Sequence, residues 1–410
     1  MARIEAELMA RGAASRAPAF EAPHPGRAPV VTGLRKSMIR LGLWGRLARR
    51  SLELYGSPGK TLSALRAVAS TRRKVAGGLP PRKYVVSRGR AFFSLHAPGY
   101  PSRAFDRYAE LELNRAVPLR PGTDLQFAFI AITRRCGLQC VHCSEWETLR
   151  QPDVLSVKDL CEIAERLRAA GAVQILLTGG EPLLRLDAAE AICRTVHEDC
   201  DVWALTSGVP LTAEVARRFR DAGATGVRVS LDHVDPAKHD RFRGVPGTFA
   251  RAVAGAQSAR EAGLLVALEL TATRDFVTPD NLERYATLAR DLGAGFIEVL
   301  DPRSVGRWTG EAVALPPEQI ALLEAFDRTM NLERPDMPLV DYPGIGQRRD
   351  GCWGAGDRYL FVDAAGSVHA CPFCHGEVGR CPDESLRTLR GRLRAQGCQA
   401  YPRARTDGRI

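Results

Sequence analysis

A chain of 410 residues with 45% apolar and 26% charged side chains has room for one large globular domain and one or two small ones. No run reaches the ~18 uncharged apolar residues of a transmembrane helix, and the charged start, Met1 to Glu7, has no apolar stretch behind it to make a secretory leader. Eleven cysteines in such a chain are expected to stay reduced and to bind metal, in a cytoplasmic protein.

The net charge of +11 is concentrated at one end: residues 1–120 hold 23 Lys/Arg against 7 Asp/Glu, or +16, and residues 121–410 carry −5. After a proline-rich tether, residues 14–31, two helical patterns are predicted near 34–55 and 60–77. A short hairpin, Lys83 to Val86 with Ala91 to Leu95, follows Pro80-Pro81. The first helix interleaves Ile39, Leu41, Leu43, Trp44 and Leu47 with Arg40, Arg46, Arg49 and Arg50. Such a basic amphipathic segment can pack on the rest of the protein, lie on an anionic membrane surface or meet an acidic partner. Nucleic-acid binding is not expected, because no recognised module accompanies the charge. The segment from Ala97 to Val117 reads as the lead into the next domain, completing an N-terminal extension over 1–120.

From residue 127 apolar strands alternate with helices. Strands are expected near 127–133, 173–178, 202–206, 226–232, 265–273 and 295–300, with helices near 156–170, 187–199, 212–222, 248–262 and 280–292. Six repeats fit an α/β fold, an open partial (β/α)6 TIM-like barrel over 121–305. In the fifth strand Val266, Leu268 and Leu270 face one way and Ala267, Glu269 and Thr271 the other. With helices sheathing the outside, the second set lines a polar interior. The fourth strand repeats this, with Val227 and Val229 opposite Arg228 and Ser230.

Two loops carry the chemistry. Cys136, Cys140 and Cys143 follow the first strand in a Cys-x3-Cys-x2-Cys run. On a helix this spacing would make one apolar face, but Thr133-Arg-Arg135 and Gly137 break the pattern into a loop where three thiols can converge. Three thiolates can hold three irons of a cubic four-iron cluster and leave the fourth open. Gly179-Gly-Glu-Pro182 follows the second strand, and a right-handed strand–helix–strand unit brings both loops to one sheet edge. Its glycines allow close approach of backbone groups to a ligand.

Together these motifs resemble the radical S-adenosylmethionine (radical SAM) superfamily. The resemblance implies a 4Fe-4S cluster on Cys136, Cys140 and Cys143, with SAM closing onto its open iron. It also implies His142 beside the adenine, and Gly179, Gly180, Glu181 and Pro182 around the methionyl amino group. Ser230-Leu-Asp-His233 and His239 to Gly244 are similar to a segment of the peptide- and cofactor-modifying members. This gives Ser230, and with it Asp232, a ribose contact. Ser207, in Thr206-Ser-Gly208, is similarly placed, although the family more often has Thr-Asn-Gly. Arg243 offers a planar fork for the SAM carboxylate. Acid–base candidates at the barrel mouth are Glu269, Glu298, Asp301, His233 and His239. Glu298 stands out because an unpaired carboxylate in an apolar strand is costly.

Residues 306–345 read as a linker with a helix. Beyond them, over 346–410, Leu360 to Val362 and Ser367-Val368 flank Asp363-Ala-Ala-Gly366 as a hairpin, and a helix near 383–396 separates Cys381 from Cys398. Cys352, Gly366 and Cys371 resemble the first half of the SPASM or twitch extension of radical SAM enzymes, which implies a small C-terminal iron–sulfur domain. A full SPASM region has more cysteines than this tail. The resemblance therefore implies one auxiliary 4Fe-4S cluster, held by Cys352, Cys371 and Cys374 with Cys381 or Cys398. A zinc site around Cys371-Pro-Phe-Cys374 is the alternative. Cys161, Cys193 and Cys200 read as ordinary thiols.

The expected function is a radical SAM oxidoreductase that modifies a peptide or peptide-derived cofactor precursor, supplied with electrons by a flavodoxin or ferredoxin. Modification of a small metabolite, lipid or tetrapyrrole is one alternative. A non-catalytic iron–sulfur or zinc redox scaffold is the other.

Overall fold

The computed structural model describes residues 28–75, 82–119 and 125–402. The first residues, most of the tether, the end of the second predicted helix and Pro80-Pro81 lie outside them. The extension begins with strand β1 (Val30–Val31) and helices Gly33–Tyr55 and Pro58–Val75. Strands β2 (Tyr84–Ser87) and β3 (Arg90–Phe92) form the expected hairpin, and β1 pairs with β2. A third helix, Arg103–Ala116, occupies the segment read as a connection. Ser102 caps it, its side chain accepting from the Phe105 N–H. Leu43, Leu47, Val68, Phe105, Tyr108 and Leu113 form the shared core of the three helices.

The six expected strands are present: β4 (Phe127–Thr133), β5 (Gln174–Gly179), β6 (Asp201–Thr206), β7 (Gly226–Ser230), β8 (Leu265–Thr271) and β9 (Phe296–Leu300). They are parallel and paired in chain order. The five expected helices are Val157–Ala169, Leu186–Val196, Ala213–Asp221, Thr248–Glu261 and Pro279–Asp291, and a further short helix, Pro236–Arg243, follows β7. As expected, Val266, Leu268 and Leu270 pack with Ala252, Ala256 and Ala286 in the core between sheet and helices.

The sheet is wider than the six-strand reading. β10 (Leu339–Asp341) adds parallel to β9 at one edge, after helix Pro317–Leu332. At the other edge β11 (Tyr359–Val362) adds parallel to β4. β12 (Val368–His369) pairs antiparallel with β11, so the C-terminal hairpin exists, but its first strand extends the barrel sheet. Helix Leu386–Gln396 closes the tail.

The amino-terminal end of the barrel is filled. Phe127, Leu176, Trp203, Ala267 and Phe296 from the strands pack with Val85, Phe92 and Leu95 of the extension. Burying a side chain of this size contributes roughly 1.5–3 kcal/mol. Lys83, 1% exposed, locks the plug: its ammonium donates to the carbonyls of Met330 and Arg334 at 2.8 Å, Met337 at 2.5 Å and Pro338 at 3.1 Å. A cation at the carboxyl end of helix Pro317–Leu332 also complements the helix dipole.

Candidate functional site

The cysteine loop leaves β4 at Thr133 and is held by a carboxylate the sequence reading did not single out. Asp153 accepts from the Thr133 hydroxyl at 3.0 Å and the Arg134 N–H at 2.8 Å. Helix Pro236–Arg243 supports the loop from one side, with Gln139 N donating to Arg243 O at 3.1 Å and Val141 N to Phe242 O at 3.0 Å. Residues after β9 support the other, where Arg307 N donates to Cys143 O at 3.1 Å.

The two glycines of the second loop serve this packing. Gly180 N donates to Thr133 O at 2.8 Å and Glu181 N to Arg135 O at 2.7 Å. A Cβ on Gly179 would stand 2.3 Å from Thr133 O, and one on Gly180 2.3 Å from Arg135 O. They therefore seat one loop on the other, in addition to facing the cavity. Buried Glu181 extends the brace to the end of β6: it accepts from Thr206 Oγ1 at 2.7 Å, Ser207 N at 2.8 Å and Ser207 Oγ at 2.5 Å. Burial pushes its pKa up, against the pull of these donors.

One cavity of about 1210 Å³ collects most of the expected residues: Cys136, Cys140, Cys143, His142, Gly179, Gly180, Glu181, Ser207, Ser230, Arg243, Glu269 and Glu298. Within it His142 stacks on Phe242, centroids 4.5 Å apart, in an aromatic group completed by Trp308. Burial, with Arg243 nearby, lowers the His142 pKa to about 4. Pro182 is buried at the start of a short 3₁₀ turn and does not line the cavity.

Asp232 and Arg243 satisfy each other. Asp232 Oδ2 accepts from Arg243 Nε at 2.7 Å and Nη2 at 2.6 Å, and Oδ1 from Thr271 N at 3.1 Å. Although burial opposes it, Arg243 holds the Asp232 pKa below the ordinary value. Asp232 lies behind the cavity wall, and Arg243 turns its remaining nitrogen to Cys140 Sγ at 3.7 Å. The pair thus braces the cysteine loop from behind, with Arg243 also lining the cavity. His239 belongs to the same brace, accepting from Asp232 N at 3.2 Å. His233 accepts from Asp235 N at 2.8 Å, and neither histidine reaches the cavity.

Deeper in, Glu269 and Glu298 are partners in the β8–β9 register. Glu298 accepts from Arg228 Nη1 at 2.7 Å and has His96 Nε2 at 3.2 Å. Although burial opposes ionisation, Arg228 and His96 hold its pKa down. Glu269 has no hydrogen-bond donor among the described residues, and burial, reinforced by Glu298, pushes its pKa up to about 8. Arg228 showed in the sequence as a charge inside an apolar strand. His96, in a loop of the extension, gave no signal.

The same cavity reaches the C-terminal thiols Cys352, Cys371, Cys374 and Cys398. Cys398 contacts both Cys352 and Cys374, and Cys374 contacts Cys371. Cys381 is elsewhere: 1% exposed, it packs with Leu386 and Leu389 in the apolar core. Its carbonyl lies against Gly366, where a Cβ would approach to 2.6 Å. The structure thus brings four thiols of the five together.

Burial pushes the Cys136 pKa to about 12 and that of Cys143 to about 11, so the thiolates need a cationic centre for stability. No three His, Cys, Asp or Glu side chains among the described residues are placed to hold a single metal ion. In an iron–sulfur cluster each thiolate binds its own iron, so the thiols need not converge on one ion. Both groups, three thiols in one loop and four of the C-terminal region on the same cavity, offer the donor set of iron–sulfur centres.

A partial barrel with a three-cysteine loop and a glycine loop at its mouth defines a cluster-dependent enzyme of the radical type. Residues 130–292 match the radical SAM superfamily. The chain is 32% identical to a PqqA peptide cyclase of Streptomyces rochei over 265 residues, 63% of this chain and 72% of that protein. It is 30% identical to the mycofactocin maturase MftC of Mycobacterium tuberculosis, over 59% of this chain and 63% of the other. Streptococcus suis SuiB bound to its precursor peptide SuiA superposes with a TM-score of 0.56 at 14% identity, covering 80% of this chain and 78% of that one, a likeness of fold. The chain belongs to the radical SAM superfamily, and its cofactors are a 4Fe-4S cluster and SAM.

Proposed function

We propose that the chain is a peptide-modifying radical SAM oxidoreductase with one auxiliary cluster. The observation that carries this reading is that one cavity is lined by the three thiols of the cysteine loop, four thiols of the C-terminal region and the carboxylate of Glu269. Bound there, SAM and a cluster on Cys136, Cys140 and Cys143 would supply the radical chemistry for hydrogen abstraction from substrate, and a second cluster would supply an acceptor for the electron left behind. Cys136, Cys140 and Cys143 hold the first centre, and Cys352, Cys371, Cys374 and Cys398 the second. Gly179 and Gly180 present backbone groups to the methionyl end, His142 flanks the adenine, and Ser230 reaches the ribose. Ser207 positions Glu181, and Arg243 supports Cys140. Glu269 takes the proton that the oxidised substrate sheds, in a cavity that Arg228 and Glu298 keep polar.

The named relatives that act on or mature peptides support a peptide substrate. A flavodoxin or ferredoxin in the cytoplasm would supply the electron for SAM cleavage. No helix among the described residues is long and apolar enough to cross a membrane. Leu34, Met38 and Leu41, each at least 66% exposed on one stripe of a helix rich in arginine, favour a peripheral contact with an anionic membrane surface.

The test is anaerobic reconstitution followed by assay of 5′-deoxyadenosine with SAM and dithionite. Product is expected from the wild type, and none from the Cys136→Ala/Cys140→Ala/Cys143→Ala variant. Iron should fall from about eight to about four atoms per chain in Cys352→Ala/Cys374→Ala. Equal product from the first variant, or unchanged iron in the second, sinks the respective assignment.

A further inference from the structure

Tyr359 stands where the barrel meets the four-thiol group. It opens β11, and its ring stacks on Phe127 of β4 with centroids 4.7 Å apart and planes 17° from parallel. Phe129 packs edge-on at 6.1 Å. Its hydroxyl lies 3.3 Å from Cys352 Sγ, and the residue lines the cavity.

The surroundings are shaped for this contact. A Cβ at position 354 would stand 2.7 Å from the Tyr359 ring and 2.9 Å from its oxygen, so Gly354 leaves the tyrosine its place. The Gly354 N–H adds a second hydrogen bond to Cys352 Sγ at 3.2 Å. Cys371 and Cys398 receive backbone donors, from Phe373 and from Ala400 and Tyr401. Cys352 differs in having a phenol as well.

We propose that Tyr359 is a positioning residue that sets the reduction potential of the centre held by Cys352, Cys371, Cys374 and Cys398, by donating its hydroxyl proton to Cys352 Sγ. This rests on the reading of those four thiols as cluster ligands. A thiolate bound to iron has no proton, so the phenol is the donor. A hydrogen bond to the sulfur stabilises the reduced state, which carries one more negative charge, and raises the potential. The stacked Phe127 fixes the ring so that the hydroxyl keeps its direction. The centre facing substrate thereby becomes a better electron acceptor than bare thiolate ligation would make it.

The experiment is redox titration of the reconstituted full-length protein followed by electron paramagnetic resonance, with iron counted in every sample. Tyr359→Phe keeps the ring and removes the donor. It is expected to shift the auxiliary midpoint to a more negative value while iron content and the signal of the Cys136 cluster stay as in the wild type. Fluorotyrosine at 359, a stronger donor, should move the midpoint the other way, and Gly354→Ala, which displaces the ring, should move it as Tyr359→Phe does. An unchanged midpoint in Tyr359→Phe overturns the proposal. So does selective loss of auxiliary iron in that variant, since the tyrosine would then be a structural prop. A wild type that binds only about four irons overturns the ligand reading itself, and is told apart because no auxiliary signal exists to titrate.

Discussion

Glu269 and Glu298 lie side by side on adjacent strands, and two like charges in a buried site cannot both ionise cheaply. Arg228 and His96 settle which one does. With Glu298 ionised in the pair, Arg228→Met leaves its buried charge with His96 as its remaining partner, and the expected cost is about 3–5 kcal/mol in denaturant unfolding. Glu298→Gln in the Arg228→Met background should recover much of it. Glu269 behaves in the opposite sense. Its folded pKa is raised to about 8 from an unfolded value near ~4.3, so the folded state binds the extra proton between those limits. Its contribution to stability is full below the lower limit and declines as pH rises to the upper one. Thermal melts at pH 5 and pH 8 should show this loss in the wild type and a flatter dependence in Glu269→Gln; identical slopes would refute the assignment. Turnover should rise toward pH 8 as Glu269 ionises, and the Gln variant should lose that rise. Both carboxylates were visible in the sequence as acids in apolar strands. Their division of labour was not, because it depends on partners 70 residues away in one case and on a loop of the extension in the other.

At the scale of elements, the strands and helices of the barrel were legible because each carries a strong period, two for the strands and three to four for the helices. β10 was not read, since three residues are too few to show a period, and β11, read as a hairpin strand, was not placed beside β4 because that pairing spans most of the domain. The glycine loop was legible as a motif but only half understood. Spacing suggested room for a ligand, and the structure adds contact with the cysteine loop. Gly180→Ala places a methyl group against Arg135 O and Cys136 Cβ, neither of which can retreat without moving the loop. The expected result is a folded barrel, by circular dichroism, that retains a small fraction of the first cluster's iron. Full iron occupancy in this variant would mean that the two loops yield easily. Lys83→Met tests a second joint: several buried carbonyls lose their donor, at about 1–3 kcal/mol each, and the melting temperature should fall by several degrees.

For the whole molecule, the order of strands decides what can be separated from what. β11 hydrogen-bonds along β4, the strand that ends in the cysteine loop, and Leu360 and Val362 are fully buried in the barrel core. The C-terminal cysteine region therefore shares a sheet with the catalytic barrel. Ending the chain after Asp350 would remove that strand, expose the β4 edge and uncover the ring of Phe127 that Tyr359 covers. Such a truncation is expected to lose the first cluster together with the second, and to aggregate. Cys352→Ala/Cys374→Ala keeps β11 and should lose the second cluster alone. Iron per chain, read beside the monomer fraction by gel filtration, separates the cases. A monomeric truncated chain with about four irons would show that the barrel stands by itself. Loss of both centres on truncation, against one in the point variant, would show that the tail supports the cysteine loop through the sheet as well as supplying thiols of its own.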